Sequence, residues 1–170
     1  MSEVLAEFPG AQRAMFRRYH IGGCASCGFQ PTETLAQVCA RNENIDPSEV
    51  LEHIRTSHEQ DAKILIDPKT LAELLKQQPG LKLLDIRTRE EHEAVKLPSS
   101  SLLSQPLMQE AMGTWSREEA VVVYDHLGAK GLDAATYFIG HGFKNVRCLA
   151  GGIDAWSQQI DSSLPRYRLT

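Results

Sequence analysis

The chain lacks a long hydrophobic run. Nowhere in its 170 residues does a stretch approach the roughly 20 apolar residues of a membrane-spanning helix. The opening Met-Ser-Glu-Val-Leu-Ala-Glu-Phe-Pro is acidic, and its apolar part is too short for a secretory signal. An excess of one charge is missing as well: 18 basic against 22 acidic residues leave a net −4 and a pI near 5.9. That balance argues against a nucleic-acid or anionic-membrane partner. The cysteines are four, Cys24, Cys27, Cys39 and Cys148, too few and too unevenly spread for the disulfide framework of a small secreted domain. A cytoplasmic protein is therefore expected. No glycine-rich phosphate loop, serine-triad signature or paired-acid motif occurs, and the six histidines form no cluster with metal spacing. A hydrophobic content of 42% and a charged content of 24% are those of an ordinary globular chain. The length allows one large or two small domains.

What is present centres on residues 119–131. Ala120-Val121-Val122-Val123-Tyr124 is a continuous, β-branched apolar run of the kind a strand buried on both faces requires. A short loop follows, Asp125, His126, Leu127, Gly128, Ala129 and Lys130, and then a helical pattern through Ala134, Ala135, Phe138 and Ile139. A strand, a tight loop and a helix start gather several backbone N–H groups into a small bowl, with the positive end of the helix dipole behind it. Such a bowl stabilises an anion or a thiolate, and the first loop residue, Asp125, is the group aimed into it.

Other segments alternate around this one. Ile64-Leu65-Ile66 predicts a short strand, and Asp67-Pro68 starts a helix burying Leu71, Leu74 and Leu75. Leu81 to Ile86 is a second strand, and Thr88 to Glu91 is a capping box. Glu90, Glu91 and Glu93 are expected on a solvated helix face. Ser100 to Leu103 predicts a strand, Pro106 to Met112 a helix and Val146 to Leu149 the last strand. Strands alternating with helices predict a parallel sheet flanked by helices, the α/β class.

These motifs resemble the rhodanese family over roughly residues 62–160. Leu83-Leu84-Asp85-Ile86-Arg87 with Glu91 is similar to its strand-and-salt-bridge signature. Leu149-Ala150-Gly151-Gly152-Ile153-Asp154-Ala155-Trp156 is similar to its closing strand, Gly-Gly and helix. The length of the Asp125–Lys130 loop resembles the sulfurtransferase branch rather than the phosphatase branch, whose loop is one residue longer. The resemblance implies a persulfide-bearing cysteine at the first loop position and an arginine at the last. Here Asp125 and Lys130 stand there. A carboxylate forms no persulfide, so thiolate chemistry is unavailable at that position. Asp125 is expected to bond the loop amides itself or to cap the following helix. Asp85 and Arg87 are expected as a structural ion pair. Val95-Lys96 replaces a glycine-histidine pair of the family, and His92 holds one of its aromatic positions.

Residues 1–60 predict a small all-α domain, with 61–170 as the second. Helical patterns run through Val4, Leu5 and Phe8, through Ala11, Ala14 and Met15, and from Pro31-Thr32 through Leu35, Val38 and Cys39. Asp46-Pro47-Ser48-Glu49 is a further start signal, with Val50, Leu51 and Ile54 expected inward. Cys24 and Cys27 lie between glycines and the next helix. Around Tyr19, Ile21, Gly22, Cys24, Cys27, Thr34-Leu35 and Ile45-Asp46, residues 2–57 resemble the hybrid-cluster-protein-associated redox-disulfide domains. That family implies a thiol/disulfide role.

Three readings of the pair stay open at this point: a redox dithiol, two reduced cysteines in a tight loop, or half of a zinc or iron site. In the metal reading His20 and Cys39 complete the donor set. Cys39 also reads as core and His20 as a helix C-terminal residue. The function expected is a thiol-redox or sulfur-relay protein without a cofactor, in which Cys24 attacks and Cys27 resolves. Its partner would be a protein thiol or sulfur carrier. A non-catalytic binding or regulatory module is the alternative.

Overall fold

The computed structural model describes residues 1–22 and 28–167. Cys24 and Cys27 lie outside the described residues. The chain divides into two units, Met1–Lys63 and Ile64–Thr170.

The first unit holds α1 (Ser2–Glu7), α2 (Ala11–Tyr19), α3 (Leu35–Arg41) and most of α4 (Pro47–Ile64). Its core combines Met1, Met15, Ile21, Val38, Cys39, Val50 and Ile54 with Ala11 and Ala14. Cys39 is thus a core residue, and burial pushes its thiol pKa up. His20 is the left-handed C-cap of α2, with its amide bonded to the Phe16 carbonyl. Three expectations need correction. The third helix starts at Leu35, because Thr34 and Gln37 form the capping box, so Pro31-Thr32 lies in the preceding turn. Leu51 is 39% exposed, since the inward stripe of α4 runs through Val50 and Ile54. Finally, α4 extends over 18 residues and takes Ile64 with it. Within this unit Asp61 is buried and pairs with Arg13; burial nevertheless raises its pKa.

The second unit is a parallel five-stranded sheet, ordered β1 (Leu65–Ile66), β5 (Asn145–Leu149), β4 (Ala120–Tyr124), β2 (Lys82–Asp85) and β3 (Ser101–Leu102). Between the strands run α5 (Pro68–Gln77), α6 (Arg89–Ala94), α7 (Gln105–Thr114) and α8 (Ala129–Gly140), and α9 (Gly152–Gln159) follows β5. Period-two alternation divides each strand between two cores. Leu83, Val122, Tyr124 and Leu149 pack with Leu71, Ile153 and Trp156 on one face. Leu84, Val121, Val123, Val146 and Cys148 pack with Ala111, Ala135 and Phe138 on the other. The sheet is therefore covered on both sides, which is why β4 carries no polar residue until it ends.

The chain steps outward from β2 to β3, crosses back to β4 and continues to β5. The reversal between β2 and β4 opens the crevice at their carboxyl ends. Asp85 and Tyr124 are register partners there, and Asp125 is the next residue. Two helix starts hold this geometry: Asp67 caps α5 ahead of Pro68, and Thr88 with Glu91 forms the capping box of α6.

The Gly151-Gly152 turn backs directly onto the loop after β4. Gly152 has φ +59°, and a Cβ there would lie 2.4 Å from the carbonyl oxygens of Asp125 and His126. Gly152→Ala is expected to cost roughly 2–3 kcal/mol, combining left-handed backbone strain with overpacking against backbone. A urea unfolding midpoint checks this, with Gly80→Ala as the control in open space.

Candidate functional site

Asp125 is 5% exposed, and its carboxylate fills the bowl. One oxygen accepts from the Gly128 amide, and the other accepts from Lys130 N at 2.7 Å and Gly131 N at 3.3 Å. These are the groups that the strand–loop–helix turn leaves unpaired at the start of α8. The carboxylate thus serves as a side-chain cap placed three residues before the N-cap Gly128. Behind it, the Asp125 and His126 carbonyls accept from Ile153 N at 2.9 Å and Asp154 N at 3.2 Å. The loop and the first turn of α9 therefore satisfy each other. Leu127 is 62% exposed at the loop tip, and Ala129 and Lys130 are exposed too.

Beneath the loop lies Cys148. The position of a Gly131 Cβ is 2.5 Å from Cys148 Sγ and 3.6 Å from Asp125 Oδ1. Only glycine at 131 leaves room for the thiol, which is fully buried. Reading Cys148 as a strand core residue is correct, and its sulfur also supports the loop from below.

Next to the loop, Asp85 is fully buried and collects donors from three elements. Arg87 reaches Oδ1 with its amide at 3.0 Å and Nε at 2.9 Å, and Oδ2 with Nη2 at 2.5 Å. His92 Nδ1 and Tyr124 Oη each donate to Oδ2 at 2.8 Å, so His92 carries its proton on Nδ1. Burial raises the Asp85 pKa, but these bonds outweigh it and hold the carboxyl below its usual range. Arg87 is likewise opposed by burial yet held above its ordinary value, chiefly by Asp85. For Tyr124, burial pushes the phenol pKa up. Asp85 and Arg87 are the ion pair the sequence suggested.

Glu91 departs from the solvated face expected for it. It bonds the Thr88 amide at 3.1 Å and accepts from Tyr167 Oη at 2.6 Å. Glu90 and Glu93 are exposed. Tyr167 also accepts from Arg87 Nη1 at 2.8 Å and lies 4.2 Å from the His126 ring. No motif marked Tyr167 as part of the site; its aromatic character in a polar tail was the only signal.

The Gly-Gly motif falls at a helix start: Gly151 caps α9, Gly152 opens it and Trp156 is buried in the core. Among the described residues, no three His, Cys, Asp or Glu side chains are arranged to hold a metal ion. Of the alternative donor set, His20 is exposed and Cys39 is buried; the other two members lie outside the described residues. No helix among the described residues is long and apolar enough to cross a membrane.

The rhodanese-like domain model matches residues 67–159. The chain belongs to the rhodanese-like family. A sulfurtransferase of Allochromatium vinosum is 31% identical over 93 residues, covering 55% of this chain and 87% of that protein. The adenylyltransferase and sulfurtransferase UBA4 of Candida albicans is 28% identical over 115 residues, or 63% of this chain. The match spans about a quarter of the Candida protein's own length, 26%. Among solved structures, the rhodanese-like domain of an Anabaena protein superposes with a TM-score of 0.51 at 20% identity, covering 63% of this chain and 87% of that one. That likeness concerns the fold alone.

In the rhodanese-like domain the acid limb of stability should depend on Asp85. Its folded pKa lies below the unfolded value of about 3.9. The stability it contributes is thus complete above that value and lost as pH falls through the folded pKa. Asp85→Asn is expected to cost about 3–5 kcal/mol at neutral pH, by leaving the Arg87 charge buried and poorly paired. It should also flatten the loss of stability below about pH 4. Urea melts across pH 3–7 measure both.

Proposed function

We propose that the chain acts in sulfur transfer or thiol exchange without carrying sulfur at its rhodanese-like loop. One observation carries this: the Asp125 carboxylate accepts the Gly128, Lys130 and Gly131 amides. In the family resemblance, those amides face a cysteine-bound sulfur. Here they are taken by an acceptor that forms no persulfide and whose charge repels thiosulfate. Cys148 is fully buried in the core and so is poorly placed to substitute for it.

The thiol chemistry then falls to Cys24 and Cys27. The thiolate of Cys24 attacks a partner's disulfide or persulfide sulfur and expels the partner's thiolate. Cys27 attacks the resulting bond at Cys24 and releases the sulfur or thiol bound there, leaving an intramolecular disulfide. The support is the Cys-x-x-Cys spacing and relatives named as sulfurtransferases. A cytoplasmic setting, where such a pair is kept reducible, fits this use. The rhodanese-like domain serves recognition, with the exposed Leu127 at the loop tip as a contact point. That exposure also favours a second reading, in which the whole chain is a non-catalytic binding module.

Thiosulfate:cyanide sulfurtransferase activity is expected at background. Asp125→Cys should raise it at least about tenfold, because the loop amides are already placed for a sulfur anion. Activity of the unmodified protein that survives loss of Cys24 and Cys27 would sink the proposal. Differential alkylation of anaerobically purified protein, with metal content taken on the same sample, separates the readings. A reversible Cys24–Cys27 disulfide or persulfide supports thiol exchange, and slow-reacting free thiols support the binding module. Stoichiometric zinc or iron with protected thiols would move the function to a metal site.

A further inference from the structure

The segment following α9 folds back across the rhodanese-like domain on the His126 side of the loop. Leu164 is held through its carbonyl by Ser157 Oγ at 2.6 Å. Arg166 forms a two-point pair with Asp154, Nε to Oδ1 at 2.7 Å and Nη2 to Oδ2 at 3.0 Å. Tyr167 then inserts its phenol between α6 and the loop. It donates to Glu91 and accepts from Arg87, and its ring lies against His126.

The groove offers more than this segment uses. His126 is 8% exposed, and its Nδ1 has no hydrogen-bond partner. A buried polar atom without a partner is costly and uncommon in folded proteins. His126, Asp154 and Ser157 line a shallow surface cleft together with Pro165, Arg166 and Tyr167, so the segment after α9 itself closes it. Arg166 itself is more than half exposed, so its pair with Asp154 is a weak anchor. The groove therefore has the character of a binding site filled by an imperfect ligand.

We propose that this groove is a peptide-binding site for a segment with a basic residue immediately before a tyrosine, occupied in cis by Arg166-Tyr167. Asp154 takes the basic side chain, and Glu91 and Arg87 take the two hydrogen-bonding functions of the phenol. His126 supplies the aromatic face and a further hydrogen-bonding atom that a better-fitting partner engages. The segment after α9 is then an internal competitor, and a partner gains access by displacing it. The inference goes beyond the sulfur-transfer reading and does not depend on it.

The test uses a labelled peptide of residues 161–170 and fluorescence anisotropy. Against the chain ended after Leu164, binding should be saturable and at least about tenfold tighter than against the full chain, whose groove is already occupied. A peptide carrying Tyr167→Phe should bind the shortened chain more weakly. Tyr167→Ala in the full chain provides a second receptor, should the shortened chain fail to unfold cooperatively in urea. Absence of saturable binding to a cooperatively folded shortened chain overturns the proposal. Equal affinities of the peptide for the Tyr167→Ala and unmodified full chains also overturn it.

Discussion

An ionised carboxylate with no exposed surface is tolerable only when donors from several directions meet it, and Asp85 is in that position at the end of β2. Arg87 comes from the turn that follows, His92 from α6 and Tyr124 from the last position of β4. Because each donor belongs to a different segment, satisfying one charge fixes the carboxyl ends of two strands and the approach of a helix. The Arg87 guanidinium extends the arrangement. Its remaining hydrogens reach the Val95 carbonyl and Tyr167, so the segment after α9 is tied to the same buried charge. Tyr124 is the residue before Asp125, and the network thereby sets where the loop begins.

The loop illustrates how one residue decides what fills a strand–loop–helix bowl. Converging amides and a helix N-terminus favour negative charge whatever its source. A side-chain carboxylate at the first loop position satisfies them permanently and within the fold. Hydrogen bonds that would otherwise be available to an anion in the bowl are structural here. Gly131, which admits Cys148 below, and Gly152, which admits the loop carbonyls above, show that the packing around the loop remains close. The amides that face the bowl are therefore occupied from within the fold, by the Asp125 carboxylate.

Much of the second unit was legible in the chain because its signals are local. The run Ala120–Tyr124, the Asp67-Pro68 and Thr88–Glu91 starts and the Gly-Gly turn each act within a few residues, and each lies where the pattern indicated. Boundaries were less legible. Ile64 joins α4 although its neighbours pair in β1, because a helix propagates until something stops it, and only Leu65 and Ile66 find partners on β5. Leu51 was misplaced because adjacent apolar residues on a helix differ by about 100° in direction, and only one can face the core.

By itself, then, the sequence determined the alternation of strands and helices, the strand that leads into Asp125 and the presence of a carboxylate rather than a thiol at that residue. These follow from periodicity, capping chemistry and side-chain identity, all short-range properties. Only the tertiary structure decided that Glu91 is a network member rather than a solvated acid and that Cys148 lies beneath Gly131. It also decided that Tyr167 crosses to Arg87 and His126. Those contacts join residues up to 80 positions apart, and no local pattern encodes a pairing that depends on how β2, β4 and α9 meet in space.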